Sequence, residues 1–281
     1  MLAQGDMELF PRFLQRYVGR FWLLAVFFFL YAPLLFLILF SFNSTRQDAI
    51  FTGFSLRWYA ALVEDSKLVE GFFLSLKVAL LTGTLSVILG TFAAFVLVRY
   101  TRFRGRPLFS GMVNAPMVMP EVILGLSLLL LMVSVQRAVG WPERGFVTIV
   151  LGHALLGMAY ATVVIQSRLS EMDRSIEEAA MDLGARPLQV FFLVTLPNMS
   201  QAVISAWLLT FTLSFDDVVI SEFLSGPGVT TLPQVIFSYA RRGVNPSIYA
   251  AAALLIAAIT LAVVAYTLYA ARVWRRSNAT R

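Results

Sequence analysis

Six stretches of the chain are continuously apolar: Phe21–Phe42, Phe72–Val98, Phe109–Val135, Phe146–Gln166, Met199–Ile220 and Ile248–Ala271. A hydrocarbon core of ~30 Å needs ~20 helical residues at ~1.5 Å each, and every run meets that length. The runs are solid rather than alternating, which predicts helices and not barrel strands. The first follows Arg12, Arg16 and Arg20. It is longer than a secretory h-region, and no small-x-small cleavage site comes after it, so it predicts a retained anchor. The polar breaks divide the chain into an N-terminal segment 1–20, a first span 21–42 and a loop 43–71. A five-span core 72–271 follows, with a long polar loop at 167–198, and then a tail 272–281.

Composition sharpens this pattern into an all-α integral membrane protein. Hydrophobic residues make up 59% of the 281 positions and charged residues only 14%. A soluble domain could not cover so much apolar surface. The excess of basic residues gives a net charge of +6, but nearly all are arginines flanking apolar runs, as membrane anchors do. Nucleic-acid binding is therefore not the reading of that charge. With no Cys and a single His, His153, no Cys- or His-based metal cluster is available, and no metal or cofactor is expected in this chain.

Charge also sets an orientation. With the N-terminus in the cytoplasm, inner segments hold 14 basic residues and outer segments 8, which favours cytoplasmic N- and C-termini. The loop at 99–106 carries four arginines and no acid. The 167–198 loop fits this rule poorly, with three arginines against five acids, and so calls for another explanation.

Within that loop, Ser175 and Glu178 stand in the S-x-x-E relation of a capping box. Ile176, Ala179, Ala180 and Leu183 follow at i, i+3, i+4 and i+7, Gly184 sits where a left-handed cap would end the helix, and Pro187 can open the next one. The spacing predicts a two-turn helix over Ser175–Leu183, marginal alone, which must pack on something. It either lies against the inner ends of its own spans or serves as a docking knob for a partner.

Glu178-Ala179-Ala180, then Gly184, then Val194-x-Leu196-Pro197 resembles the EAA loop of ABC-importer permeases, with Val194 where that family has Ile. The stretches YAPLLFLILFSFN in the first span, FSLRWY at 54–59, APMVMPEVILGLSLLLL at 115–131 and FTLSFDDVVISEFLSGPG at 211–228 are similar to spermidine/putrescine importer permeases. The resemblance implies the type I importer permease fold in a bacterial inner membrane. It implies a sister permease, two ATPase subunits and a periplasmic polyamine-binding protein as partners. It also implies an ATPase-coupling role for Ser175, Ile176, Glu178, Ala179, Ala180, Asp182, Leu183 and Gly184. ATP and Mg would sit on the separate ATPase. This chain has no G-x-x-x-x-G-K-[ST], since its only lysines are Lys67 and Lys77 and neither follows a glycine.

The substrate can be approached from the acids. Carboxylates inside spans cost ~2.5–3.5 kcal/mol each at the helix centre, so they are functional candidates. Glu121 lies in the third run and Asp216-Asp217 in the fifth, with Glu222 just beyond and no Lys or Arg in either run to pair with them. Water, hydroxyls, protonation, the partner subunit or a cationic substrate must compensate. Counting ~1.5 Å per residue places Asp216 ~26 Å from Met199 and Glu121 ~18 Å from Phe109. Thr210, Ser214, Asp217 and Ser221 form one polar stripe; Ser205, Thr212 and Asp216 form a second. Adjacent residues cannot face the same way, and the longer stripe favours Asp217 as the pathway member. Trp207, Phe211 and Phe215 recur at i, i+4 and i+8, either as packing or as a wall that attracts an ammonium. His153, Gly157 and Tyr160 share a face, as a hydrogen-bonded helix contact or a proton relay.

These readings converge on a polyamine importer permease. Alternatives are an ABC permease for a different solute, an ion-coupled secondary carrier using the same acids, or a non-transporting membrane anchor for a signalling ATPase.

Overall fold

The structure, a computed structural model, describes residues 12–45, 50–242 and 246–279. Its helices are α1 (Arg12–Phe40), α2 (Arg57–Glu64), α3 (Ser66–Arg99), α4 (Arg106–Val118), α5 (Glu121–Val139), α6 (Phe146–Glu171), α7 (Ser175–Asp182) and α8 (Pro187–Val190). A π-helical turn follows at Phe191–Thr195, then α9 (Leu196–Asn198), α10 (Ser200–Phe215), α11 (Val219–Leu224), α12 (Leu232–Arg241) and α13 (Pro246–Ala279). Among the described residues the sole β feature is an isolated bridge between Asn43 and Phe54.

The chain forms two compact units. One comprises the segments up to Asp65 and from Tyr239 onward, with α1, α2 and α13. The end of α1 is tied to α2 by polar contacts. Trp58 Nε1 donates to the Asn43 carbonyl at 2.7 Å, and the Ser41 and Tyr59 hydroxyls lie 2.7 Å apart. The outward face of α1 stays apolar and exposed, as in Phe28 and Phe29, which suits lipid contact.

The second unit, Ser66–Ser238, is built on α3, α6 and α10. Lipid is as apolar as leucine, so helices in a bilayer associate by close packing rather than by the hydrophobic effect. Small residues provide that closeness. At Gly90 a Cβ would lie 2.7 Å from Ala161 Cβ and 2.9 Å from the Thr162 backbone nitrogen. Two clusters fill the seam. One holds Val87, Ala94, Ile165, Leu169, Met199 and Ala206; the other holds Val78, Leu124, Leu128, Ile149, Ile220 and Leu224.

Among the described residues, five helices are long and apolar enough to cross a membrane. The pair Pro187–Asn198 and Ser200–Phe215, bent by 72°, makes up to six. Six all-α spans were expected, and two of the runs are built differently from the expectation. The Phe109–Val135 run is not one helix. Met119 is extended (φ −77°, ψ 139°) because Pro120 disfavours the helical region before it, so α4 ends and α5 starts anew. Glu121 is therefore the first residue of α5, and its depth cannot be counted along an unbroken helix from Phe109. The Met199–Ile220 run likewise stops at Phe215, with Asp216 at φ −98°, ψ 0°, before α11 restarts at Val219. Its entry is bent because Pro197 lacks an N–H and crowds the preceding turn. The chain widens there into the π turn, where Leu196 donates to the Phe191 carbonyl.

Candidate functional site

Two polar centres stand out, one at each end of the α3–α6–α10 core. The first is α7. Its helix runs Ser175–Asp182, within a residue of expectation, but not through the expected capping box. Asp173 Oδ1 accepts the Ser175 N–H at 2.9 Å instead, and no Ser175 side-chain cap forms. That backbone hydrogen bond, with a second from the Ser175 hydroxyl, holds the Asp173 carboxyl below the ordinary aspartate range. The C-terminus is as expected. Gly184 is left-handed (φ +88°), its N–H donates to Met181 O at 2.9 Å, and the Ala185 N–H reaches Ala180 O at 3.1 Å.

The apolar stripe does not bury itself. Leu183 is 90% exposed, and Ile176 and Met181 are more than two-fifths exposed. Glu178, Ala179 and Asp182 are also exposed, whereas Ala180 is half-buried. The one buried residue of α7 is Glu177, which the sequence reading passed over. Its carboxylate pairs with Arg99, the last residue of α3, at 2.9 Å, and accepts the Thr195 hydroxyl of the π turn at 2.8 Å. Arg99 was legible only as an orientation charge. What marks Glu177 is its neighbour: on a helix the residue beside an outward acid is turned by ~100°.

The second centre lies where α10 ends. Asp217, the member that the longer stripe favoured for the pathway, is the covered one of the acidic pair. Its side chain is 9% exposed, and Oδ1 lies 3.1 Å from His153 Nε2 of α6. Oδ1 also accepts the Ser221 N–H at 2.8 Å, and Oδ2 accepts the Ile220 N–H at 3.3 Å, so Asp217 caps α11. His153 Nδ1 meets the Ser214 hydroxyl at 2.7 Å and Nε2 the Ser221 hydroxyl at 3.1 Å. The polar stripe Ser214–Asp217–Ser221 thus converges on the single histidine. Thr210 lines a small cavity beside it with Gly157 and Leu213. His153 and hydroxyls, together with backbone donors, are the compensation that Asp217 needed. Asp216, by contrast, is exposed.

Next to Asp216 runs the aromatic series. Trp207 and Phe211 stack at 5.3 Å, and Phe211 and Phe215 at 5.9 Å. Gly83 of α3 makes room for the upper rings, and Trp207 Nε1 donates to the Thr84 hydroxyl at 3.2 Å. The other two acids are separate from this centre. Glu121 is exposed at the start of α5. Glu222 is exposed on α11 and accepts Gln234 Nε2 of α12 at 3.0 Å. Gly125, one turn past Glu121, packs against the Phe223 ring, which occupies the place of its missing Cβ. Among the described residues no group of His, Asp and Glu could hold a metal.

Residues 86–275 match the family described as binding-protein-dependent transport system inner membrane component. The putrescine transport system permease protein PotI of Escherichia coli K12 is 56% identical over 238 residues, covering 84% of this chain and 85% of that protein. The spermidine/putrescine transport system permease protein PotC of the same strain is 35% identical over 246 residues, covering 88% and 91%. Among solved structures, a bacterial ABC transporter that imports the acidic polysaccharide alginate aligns with a TM-score of 0.69 at 15% identity. That alignment covers 92% of this chain and 98% of the other. The MetNI methionine ABC transporter aligns with a TM-score of 0.56 at 18% identity, over 71% and 92%. At such identities these two speak for the fold alone.

Proposed function

The chain belongs to the family of binding-protein-dependent transport inner-membrane components, and we propose that it is the permease subunit that carries putrescine and related polyamines inward through an ATP-driven importer. The observation that carries this reading is the 56% identity to the putrescine permease over 84% of the chain. In this assembly a sister permease completes the pathway, and a periplasmic binding protein delivers the solute. Two ATPase subunits bind ATP and Mg. The N- and C-termini and the α7 end face the cytoplasm, in keeping with the excess of arginine on that side.

The two centres divide the work. At the α7 end, the exposed residues Ile176, Glu178, Ala179, Asp182 and Leu183 form the seat for the ATPase. Ser175 and Gly184 end the helix on either side. The uncovered stripe supports docking over self-packing. At the α10 break, Asp216 is the carboxylate that meets an ammonium group, with the Trp207–Phe211–Phe215 stack beside it as a wall suited to a cation. Asp217 holds the break in shape rather than touching solute. Glu121 and Glu222 add negative potential along the route. Carboxylates and ring faces suit a flexible diamine; an anion would need arginines or helix N-termini instead.

The test is reconstitution of the complete importer in proteoliposomes with the binding protein outside and ATP on the ATPase side. Uptake of radiolabelled putrescine should require ATP and the binding protein. Uptake that proceeds without the ATPase would identify a secondary carrier and overturn the reading, as would an ATP-dependent complex that ignores polyamines.

A further inference from the structure

Helix α7 has eight residues and a single buried one, Glu177. Its carboxylate is held from two directions. Arg99 donates from Nη2 to one oxygen at 3.0 Å, with Nε in ion-pair contact 2.9 Å from the other, and Thr195 donates to the first oxygen at 2.8 Å. Arg99 ends α3, and Thr195 ends the π turn that leads through α9 into α10. Arg174, just before α7, adds a hydrogen bond from Nη2 to the Arg99 carbonyl at 3.3 Å. So one side chain of α7 grips the end of α3 and the π turn that leads into α10. Helix α10 carries the aromatic stack and stops at Asp216.

We infer that Arg99, Glu177 and Thr195 form a latch that transmits movement of α7 to α3 and α10 together. The inference rests on the proposed seating of the ATPase on α7. Without the latch, α7 is joined to the spans by the short connections at 172–174 and 183–186. These can bend, and they would absorb a displacement instead of passing it on. A charge-assisted hydrogen bond backed by a second close ion contact fixes the distance between the two groups, and the side chains are 7% and 11% exposed, so water hardly screens it. The Thr195 contact matters because the π turn is the widened, deformable part of the path to α10. Holding Thr195 to the same carboxylate makes the turn follow α7. Glu177 is thus a positioning residue. In the proposed assembly it does not touch the ATPase, which would meet Glu178 and its neighbours on the exposed face.

The test uses the full importer in proteoliposomes, with Glu177→Gln, Thr195→Val and the charge-swapped pair Glu177→Arg with Arg99→Glu. Four readouts are taken: thermal midpoint, ATPase co-purification, ATP hydrolysis, and putrescine uptake per ATP hydrolysed. Glu177→Gln should still co-purify with the ATPase and hydrolyse ATP, while uptake per ATP falls about tenfold, as for loss of a charge-assisted bond. Thr195→Val should lower the ratio by a similar factor, because its hydroxyl also donates to the ionised carboxylate. The swapped pair should recover most of what Glu177→Gln loses. Unchanged uptake per ATP in Glu177→Gln overturns the latch, and so does loss of ATPase co-purification with no recovery in the swapped pair, which would place Glu177 in the docking surface itself. A wild-type complex without ATP-driven uptake overturns the functional reading and the latch with it; wild-type uptake matched by Glu177→Gln overturns the latch alone.

Discussion

Asp216 and Asp217 are neighbours of one chemistry, and the structure separates them into an exposed acid and a covered one. Replacing each by Ala should therefore fail in different assays. Asp217→Ala removes the cap on α11 that comes from the Ser221 and Ile220 N–H groups, and the 3.1 Å contact to His153. Loss of an N-cap acceptor costs ~0.5–2 kcal/mol. An interhelical hydrogen bond in a membrane is weaker than intuition suggests, ~0.6 on average and ~1.7 at most, because the unfolded chain in lipid also finds partners. His153 keeps its two hydroxyl contacts, so it is not left bare. The total is about 1–3.5 kcal/mol. At ~2–4 °C per kcal/mol for a chain of this order, the thermal midpoint should drop by several degrees, up to ~14 °C.

Asp216→Ala removes an exposed side chain, and exposed substitutions of this kind stay within ~0.5 kcal/mol, so its midpoint should hold to within ~2 °C. Its cost should appear in transport instead. A charge-assisted contact to an ammonium is worth ~1.5–3 kcal/mol, so putrescine uptake at limiting substrate should fall roughly tenfold to a hundredfold. Both variants are to be measured side by side in nanodiscs by tryptophan fluorescence on heating, and in proteoliposomes by uptake. Equal midpoints for the two, or a drop confined to Asp216→Ala, would refute the assignment of Asp217 as the acid that holds the break.

Three further outcomes follow from local geometry. Gly184→Pro cannot adopt φ +88° and loses the N–H bonded to Met181, so ATPase co-purification and uptake should collapse while membrane insertion, read by fractionation, is unchanged. Gly90→Val drives side-chain atoms into Ala161 and the Thr162 backbone and should lower the thermal midpoint by the equivalent of ~1–3 kcal/mol. Gly111→Ala, where a Cβ meets nothing within 4 Å, is its control, expected to leave the midpoint in place. Burial and then the hydrogen bond to Asp65 raise the Tyr239 hydroxyl above the ordinary tyrosine value, against a smaller opposing effect of Arg242. The folded state thus favours the protonated phenol. Its contribution is whole below the ordinary tyrosine pKa and is lost as pH climbs through the raised one. Tyr239→Phe should flatten the fall of the thermal midpoint on the alkaline side, checked by heating at a series of pH values.

What the sequence disclosed was whatever obeys a short period. The apolar runs, the bounds of α7, the left-handed Gly184 and the i, i+4, i+8 aromatic stack all follow from neighbours within a few turns. The errors came where two local signals competed or where the partner was remote. Ser175 and Glu178 have the spacing of a capping box, yet Asp173, two residues before Ser175, reaches its N–H first. Pro120 sits in an apolar run long enough to span, and its ring divides that run into α4 and α5. The pairing of His153 with Asp217 crosses 64 residues, and that of Arg99 with Glu177 crosses 78, and no periodicity within either segment encodes such a distance.

The two acidic doublets solve one problem in the same way. A chain with 16 acids in 281 residues can place few of them near its spans, because a buried carboxylate without a partner costs several kcal/mol. The proposed function nevertheless asks for an acid that stays open: Glu178 toward the ATPase, Asp216 toward an ammonium. An open acid is useful only if the backbone beneath it is held still. In each doublet the neighbouring residue does the holding. Glu177 turns in to Arg99 and Asp217 to His153, and each is nearly covered while its twin is exposed. The rotation between adjacent residues makes the division unavoidable once one member is pinned. The basic partners lie on α3 and α6, the most tightly packed helices of the core, so both open acids are referenced to the same frame. A displacement of α7 is then measured against the helices that also set the position of Asp216. This is why amide substitution of an inward acid and of an outward acid should separate so cleanly. The inward ones should lose coupling or thermal stability, and the outward ones should lose a partner.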